Sequence, residues 1–401
     1  MRLDPIRHPW MTMPETRKLI AALGEGHARF VGGVVRNALL DSEVSDIDIA
    51  TPLVPGEVTK RLEAAGIKAV PTGLDHGTVT AVVDGKPFEV TTLRRDVETD
   101  GRHAVVAFST DWAQDARRRD FTMNALYATP DGEVFDCVGG VDDLKAGRVR
   151  FVGDAAARIA EDYLRILRLF RFHAWYGKGE IDGEALNAAA AGKSGLQSLS
   201  AERVQKEMLR LLEAENPVPS LRAMAATSIL SEVFPGALNL ARLERLVAID
   251  TDNFFTPDPV LRLAAMGAGE NLKLSNAQAE RLDDLANARE KIVSYLSIKD
   301  VRRLLYRLGA RRFKDRAFLK WAEDPKESNF IQWRALLAMA DAWQRPVFPL
   351  TGANVMNAGI AQGPLVGRIL AEVEEWWIES DFTDDEFSLA ERLKAVLQAL
   401  A

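Results

Sequence analysis

The period of hydrophobic and polar positions changes part-way along the chain. Between about residues 26 and 145 short apolar runs alternate with helical stretches, while from about 146 onward almost every stretch repeats at helical spacing. Early in the first region, Phe30-Val31-Gly32-Gly33 reads as the end of a short apolar strand. The following Val34-Val35-Arg36-Asn37-Ala38-Leu39-Leu40 reads as a helix opening on glycine. Asp46-Ile47-Asp48-Ile49 alternates acid with apolar, which on a strand puts both aspartates on one face and both isoleucines toward the core. Further on, TVTAVV and PFEVTTL are β-branched and aromatic runs joined by Asp84-Gly85-Lys86, and they predict a hairpin. Its second strand separates Phe88 and Val90 from Glu89 and Thr91. Phe121-Thr-Met-Asn-Ala-Leu126 predicts a buried helix, and the run from Asp154 to Phe172 a continuous one.

These patterns predict an α/β N-terminal domain, a palm of mixed sheet with helices over 26–145, behind an N-terminal helix or extension at 1–25. An all-α region follows. Breaks at Asn216-Pro-Val-Pro-Ser220, Thr256-Pro-Asp-Pro259, Pro325 and Arg345-Pro-Val-Phe-Pro-Leu350 divide it into a neck over 146–215, a body over 216–325 and a tail over 326–401. The stretch from Gly359 to Gly367 puts small residues and Pro364 before a helix.

Chemistry enters through the charged residues set into this pattern. A helix opening at Gly32-Gly33 offers free backbone N–H groups and a positive dipole end, which suits a phosphate. Asp46 and Asp48, roughly 6.6 Å apart at Cα by strand rise, can hold hard cations. Paired metals in phosphoryl-transfer sites lie about 3.5–4 Å apart. Glu89 could stand beside them as a third carboxylate. Arg118, Arg119 and Asp120 crowd charge against the apolar segment from Phe121. An arginine fork matches phosphate oxygens, and an aspartate accepts from ribose hydroxyls. Taken singly, each has a plainer reading: a turn, an exposed acidic pair, an outward-facing glutamate, a solvated charge run. Together they predict a nucleotidyl-transfer site.

In the run Asp154–Phe172, a continuous helix puts Arg158, Asp162 and Arg165 on one face. Aspartate only accepts and arginine only donates hydrogen bonds. Cytosine and adenine present an exocyclic N–H₂ beside a ring acceptor, whereas guanine and uracil present a carbonyl beside a ring N–H. An Asp162/Arg165 pair on a rigid helix therefore accepts C and A. The plain alternative is a helical ion pair, worth about 0.2–0.5 kcal/mol.

With these segments in view, the chain resembles the class II CCA-adding tRNA nucleotidyltransferase and bacterial poly(A) polymerase family. The resemblance rests on Gly32-Gly33-x-x-Arg36, Asp46-x-Asp48, Glu89-x-x-x-x-Arg94 and Arg118-Arg119-Asp120-Phe121-Thr122-x-Asn124-Ala125. It continues in Asp136-x-x-Gly139-Gly140-x-x-Asp143-Leu144, Glu161-Asp162-x-x-Arg165 and Ser200-Ala201-Glu202-Arg203. It covers about the first 215 residues strongly. The resemblance implies that Asp46 and Asp48 bind Mg²⁺ and that Glu89 helps activate the 3′-hydroxyl of an RNA primer. It also implies Gly33 and Arg36 at the triphosphate, Gly32 among the nucleotide-binding positions, and Arg118, Arg119, Asp120 and Asn124 around ribose and phosphates. Asp162 and Arg165 would read the base, with Arg168 and Arg171 near the triphosphate. Two positions depart from the family pattern: Asn37 stands where Asp is usual, and Asp41 where Gly is usual. The charged, glycine-containing segment between Arg94 and Asp115 resembles a flexible loop of CCA-adding members. The implied activity is addition of CCA to the 3′ end of tRNA from CTP and ATP, with pyrophosphate released. A poly(A) or A-only polymerase is the alternative within the family. An inactive RNA-binding scaffold is the alternative outside it, and it would need a broken carboxylate set.

Formal charge, at −7, looks wrong for a tRNA partner, but charge is local. From Lys299 to Lys320 there are nine Lys/Arg against two Asp/Glu, with Tyr306, Phe313 and Phe318 interleaved. This stretch suits either an RNA backbone or a solvated helix face over core aromatics. Acidic residues cluster at 372–387. Cys137 is the single cysteine, so no intrachain disulfide and no thiolate metal site is expected, and the cytoplasm is the natural compartment. No apolar run reaches 18 residues, so no membrane span is expected.

Overall fold

The computed structural model describes residues 1–73, 77–100, 103–383 and 385–399, with the side chains of 96–106 excepted. The chain forms two compact units, Met1–Leu238 with Gly269–Leu274, and Asn239–Ala268 with Ser275–Ala401.

The first unit opens with α1 (Pro14–Leu23), which starts on a proline and buries Thr16, Leu19 and Leu23. Strand β1 (Arg29–Val31) feeds through Gly32, at φ +68°, into α2 (Gly33–Leu39). A side chain at Gly32 would be strained by that backbone and would meet the Asn124 carbonyl oxygen at 3.4 Å. Helix α2 buries Val34, Val35 and Ala38 and ends near Asp41, whose φ of +51° is left-handed. Aspartate tolerates that conformation better than most residues, so the chain turns there without the expected glycine. Next come β2 (Asp48–Thr51), α3 (Pro55–Ala64), β3 (Lys68–Gly73), β4 (Thr78–Val83) and β5 (Lys86–Thr92). Strands β4 and β5 form the predicted hairpin, its turn made by Asp84 at φ +49° and Gly85 at φ +87°. Strands β6 (Arg94–Asp100) and β7 (His103–Phe108) pair as a separate antiparallel ribbon. The segment expected to be a flexible loop is therefore strand-paired, while residues 101–102 lie outside the described part. Helix α4 (Trp112–Arg117) is capped by Asp111, and β8 (Leu126–Ala128), β9 (Val134–Asp136) and α5 (Gly140–Ala146) complete the palm.

The main sheet has the order β3-β4-β5-β2-β1-β8-β9. Among the described residues only β2 and β5 run parallel, in a register that places Asp48 beside Glu89. This is the mixed sheet with helices that the pattern predicts. The Phe121–Leu126 segment is buried as expected but is not a helix. Phe121 bridges to Phe151, Thr122–Asn124 makes one 3₁₀ turn, and β8 begins at Leu126.

The first unit continues through α6 (Ala155–Glu161), α7 (Leu164–Tyr176), α8 (Gly183–Gly192) and α9 (Ala201–Leu212). The continuous helix expected from Asp154 is broken. Asp162 is extended, at φ −157° and ψ 105°, and its carboxylate accepts from the Leu164 N–H at 3.1 Å. A side chain that satisfies the first free N–H groups of the next helix stops the previous one.

The second unit, taken by itself, has helices as its only regular elements among its described residues. One core gathers Val301, Leu305, Phe313, Ala317, Trp321, Trp333 and Leu336; another gathers Val355, Ile369, Val373, Leu393 and Val396. Among the described residues no helix is long and apolar enough to cross a membrane.

Candidate active site

A cavity of about 510 Å³ is lined by Ser45, Asp46, Ile47, Asp48, Thr80, Phe88 and Glu89, among others. Asp48 and Glu89 reach it as register neighbours on parallel strands. Asp46 lies two residues ahead of β2 rather than on it, exposed, and its carboxylate accepts from the Ser45 hydroxyl at 3.0 Å. Of the two isoleucines expected inside, Ile49 is buried and Ile47 only half-buried beside the cavity. Burial, with the charges of Glu89 and Asp46 nearby, pushes Asp48 up to about 6, against a smaller pull from Arg119. Negative charge is thus concentrated where no Lys or Arg salt bridge neutralises it among the described residues. Among those residues no three His, Cys, Asp or Glu side chains form a ready metal cage. Two or three carboxylates on an open cavity fit Mg²⁺, which takes one or two protein carboxylates and completes its shell with water and substrate oxygens.

A second cavity, of about 250 Å³, is lined by Arg118, Arg119, Asp120, Asp162, Leu164, Arg165, Arg168 and Arg203. It brings together six of the residues given a role from the sequence. The details differ from a simple Asp162/Arg165 pair. Asp162 is bound by Arg203 at 2.7 Å, whereas Arg165 binds Glu161 at 2.5 Å and the Arg158 carbonyl at 2.8 Å.

Behind this cavity runs a chain of buried polar contacts. Arg36 donates to Asn124 Oδ1 at 2.5 Å, to Tyr176 Oη at 2.8 Å and to Asn37 Oδ1 at 3.0 Å. Asn124 donates to Asp120 at 3.1 Å, and Asp120 is gripped by Arg168. Arg171 donates to Glu207 at 2.5 Å, with Arg168 3.7 Å away on the same carboxylate. Arg36 is only 7% exposed, and burial lowers its pKa against the opposing influence of Tyr176. Asn37, the departure from the family pattern, serves as one of its neutral acceptors. Gly33 lies close by, with a Cβ there 3.6 Å from Arg36 Nη2.

Three contributors were given no role from sequence, although Arg203 stands in one of the quoted motifs. Asp115 holds both cavity arginines, and its spacing of three and four residues before Arg118 and Arg119 on a helix is the signal that could have found it. Arg203 and Glu207 come from α9, where only proximity in the fold gives them a role. The basic stretch from Lys299 behaves differently. Arg302, Arg303, Arg307, Arg312, Lys314, Arg316 and Lys320 all form ion pairs, with acids that include Asp381, Glu379, Glu375, Asp284 and Asp341. Tyr306 and Phe313 are core residues. The stretch thus forms a helix face over core aromatics, with these seven cations already paired to acids.

Residues 28–150 match the family described as the poly A polymerase head domain, and residues 180–240 the family described as a probable RNA and SrmB-binding site of polymerase A. The chain is 33% identical to the mitochondrial CCA tRNA nucleotidyltransferase 1 of Homo sapiens, over 91% of this chain and 86% of that protein. It is 32% identical to a CCA-adding enzyme of Levilactobacillus brevis, over 86% of this chain and 88% of that one. Among solved structures, the Bacillus stearothermophilus CCA-adding enzyme in complex with CTP superposes with a TM-score of 0.72 at 26% identity, covering 96% of this chain and 98% of that one.

Proposed function

The chain belongs to the family of CCA-adding tRNA nucleotidyltransferases and bacterial poly(A) polymerases, and from that premise we propose that it adds C, C and A to the 3′ end of tRNA. CTP is used twice and ATP once. In each round the tRNA 3′-hydroxyl attacks the α-phosphate, the α–β bridging bond breaks, and pyrophosphate leaves. The observation that carries this reading is the convergence of Asp46, Asp48 and Glu89 on one cavity, with Asp48 beside Glu89 across the parallel β2–β5 pair.

Asp46 and Asp48 would hold Mg²⁺, which when bound neutralises the carboxylates and the phosphate charge that gathers during transfer. Glu89, beside Asp48, would accept the proton of the 3′-hydroxyl as it attacks. Arg118 and Arg119 each leave an Nη1 without a protein partner among the described residues. Those groups would take ribose and phosphate oxygens. Asp162 as acceptor and Arg165 as donor would match the N–H₂ and ring nitrogen of C or A. Each is now held by a protein group, so base binding exchanges one partner for another, and a mismatched base leaves them unpaired at a cost of about 1–3 kcal/mol. A cytoplasmic location fits the single cysteine.

The test is incorporation of labelled CTP and ATP, separately and together, on tRNA ending before CCA, on tRNA ending in CC, and on oligo(A). Two C and one A added to tRNA, with little on oligo(A), is the expected result. Long A tails on oligo(A) without C incorporation would make it a poly(A) polymerase instead.

A further inference from the structure

Two arginines in sequence repel each other and have many rotamers, so something must aim Arg118 and Arg119 into the cavity they line. Asp115 is the group in contact with both, and it is only 1% exposed. Its Oδ1 accepts from Arg118 Nε at 2.8 Å and from the Arg94 backbone N–H at 3.0 Å. Its Oδ2 accepts from Arg119 Nη2 at 2.9 Å and from the Tyr127 hydroxyl at 2.6 Å. Both oxygens are therefore filled, by donors from three separate elements. Burial would raise this carboxylate, but Arg119 and Arg118, with Tyr127 and the Arg94 amide, bring it down to about 2. It stays ionised throughout the working pH range. Tyr127 is itself pinned, its hydroxyl accepting from Arg119 Nε at 3.1 Å and its ring edge-on to Trp112 at 5.5 Å.

The Arg94 contact adds a second tie. Arg94 is the first residue of the β6–β7 ribbon, and the ribbon's far end returns through Ser109, whose N–H donates to Leu93 at 2.8 Å. The chain then runs through the Asp111 cap into α4, which carries Asp115. The root of the ribbon and the two arginines thus share one carboxylate.

We infer that Asp115 is a positioning residue for nucleotide binding, fixing the Nε–Nη2 edges of Arg118 and Arg119 so that their remaining N–H groups meet the nucleotide, and registering both to the root of the ribbon. This rests on the reading of the second cavity as the nucleotide site. Asparagine at 115 keeps the shape and one acceptor oxygen but replaces the other with an N–H₂ that cannot accept from Arg119 or Tyr127.

The experiment compares Asp115→Asn, Arg118→Ala, Arg119→Ala, the Arg118→Ala/Arg119→Ala double variant and the triple variant by steady-state kinetics, with nucleotide and tRNA varied in turn. Asp115→Asn is expected to raise KM for CTP and ATP by about 10–100-fold, with kcat and the tRNA KM within about threefold. In the Arg118→Ala/Arg119→Ala background the same change should add less than about threefold, because its effect acts through those side chains. Full multiplication of the losses, with the arginine variants themselves impaired, overturns this inference alone. Arginine variants with unchanged nucleotide KM would overturn it together with the reading of the cavity. Should Asp115→Asn not fold, Asp115→Glu keeps the charge and displaces the oxygens by one methylene. A folded Asp115→Glu enzyme is expected to show a nucleotide KM raised by about tenfold, and an unchanged KM would overturn the inference.

Discussion

Charge is handled in opposite ways at the carboxylate cavity of the first unit and along the basic helices of the second. At the cavity, Asp46, Asp48 and Glu89 approach one another with no Lys or Arg salt bridge among the described residues, and burial, with the charges of Glu89 and Asp46, pushes Asp48 up to about 6. On the helices Ile298–Leu308 and Ala310–Glu323, seven of the nine cations from Lys299 to Lys320 have an acid in reach, Lys299 and Arg311 being the exceptions among the described residues. Uncompensated charge is unfavourable for folding and useful for binding an ion of opposite sign. Compensated charge is neutral to mildly favourable for folding and leaves little to offer a ligand. The density of charge in a sequence segment is therefore a poor guide to function unless its partners are known.

The sharpest way to break this contrast is Asp48→Asn. Transfer should fall by at least about a thousandfold, measured as CMP incorporation into tRNA. The metal-free protein should become more stable at neutral pH by about 1–3 kcal/mol, measured by denaturant unfolding with chelator. The sign follows from Asp48 lying above its ordinary value of 3.8. The folded state keeps a proton that the unfolded chain has lost, so this stabilisation is complete below pH 3.8 and disappears as pH rises through about 6. Asp48→Asn should remove that decline. A loss of stability at neutral pH would show that the carboxylates are structural.

Asp162→Ala comes next, with an expected 10–100-fold relaxation of the preference for C and A over U and G, consistent with about 1–3 kcal/mol per unpaired group. Single-nucleotide incorporation with all four triphosphates measures it, and undiminished preference would remove Asp162 from base recognition. For the compensated class, Arg281 is the strongest case, with Asp315 at 2.7 Å and Asp258 at 2.7 Å on a largely buried guanidinium. Arg281→Ala should cost about 2–4 kcal/mol in unfolding while leaving nucleotide KM unchanged. The smallest effect belongs to Arg307, half-exposed and paired with Glu375. Arg307→Gln should change stability by less than about 0.5 kcal/mol, and tRNA affinity at physiological salt by less than about twofold. A larger loss of tRNA affinity would mean that RNA displaces the acidic partner, and the contrast between the two regions would narrow.

What could be read from the sequence was what depends on neighbours along the chain. The Asp84-Gly85 turn, the strands beside it and the glycine entry to α2 follow from local backbone preference, and the structure has them. The helix break at Asp162 was not readable from periodicity, because Arg158, Asp162 and Arg165 keep helical spacing across it. The extended backbone of Asp162 and the bond from the Leu164 N–H to its carboxylate reveal the stop. The 3₁₀ turn at Thr122–Asn124 was hidden for a related reason: a buried apolar segment reads alike as helix or strand. The pairing of Arg302, Arg303 and Arg307 depends on acids at 375–381, contributed by a different helix and the turn that follows it. Carboxylate identities at the first cavity were legible from the Asp46-x-Asp48 pattern, but their convergence with Glu89 needed the sheet order.

That sheet order also bears on how the enzyme comes into being. Parallel neighbours cannot be joined by a tight turn, so Asp48 and Glu89 meet only after the chain has travelled through α3, β3 and β4 and returned in β5. The contact is non-local and costs loop-closure entropy before it gains any sheet bonding. A nascent or partly unfolded chain can form the β4–β5 hairpin on its own, yet does not have Glu89 beside Asp48. Competence for transfer therefore arrives in one cooperative step with closure of the palm, and a chain that has not finished folding has no assembled centre with which to extend RNA.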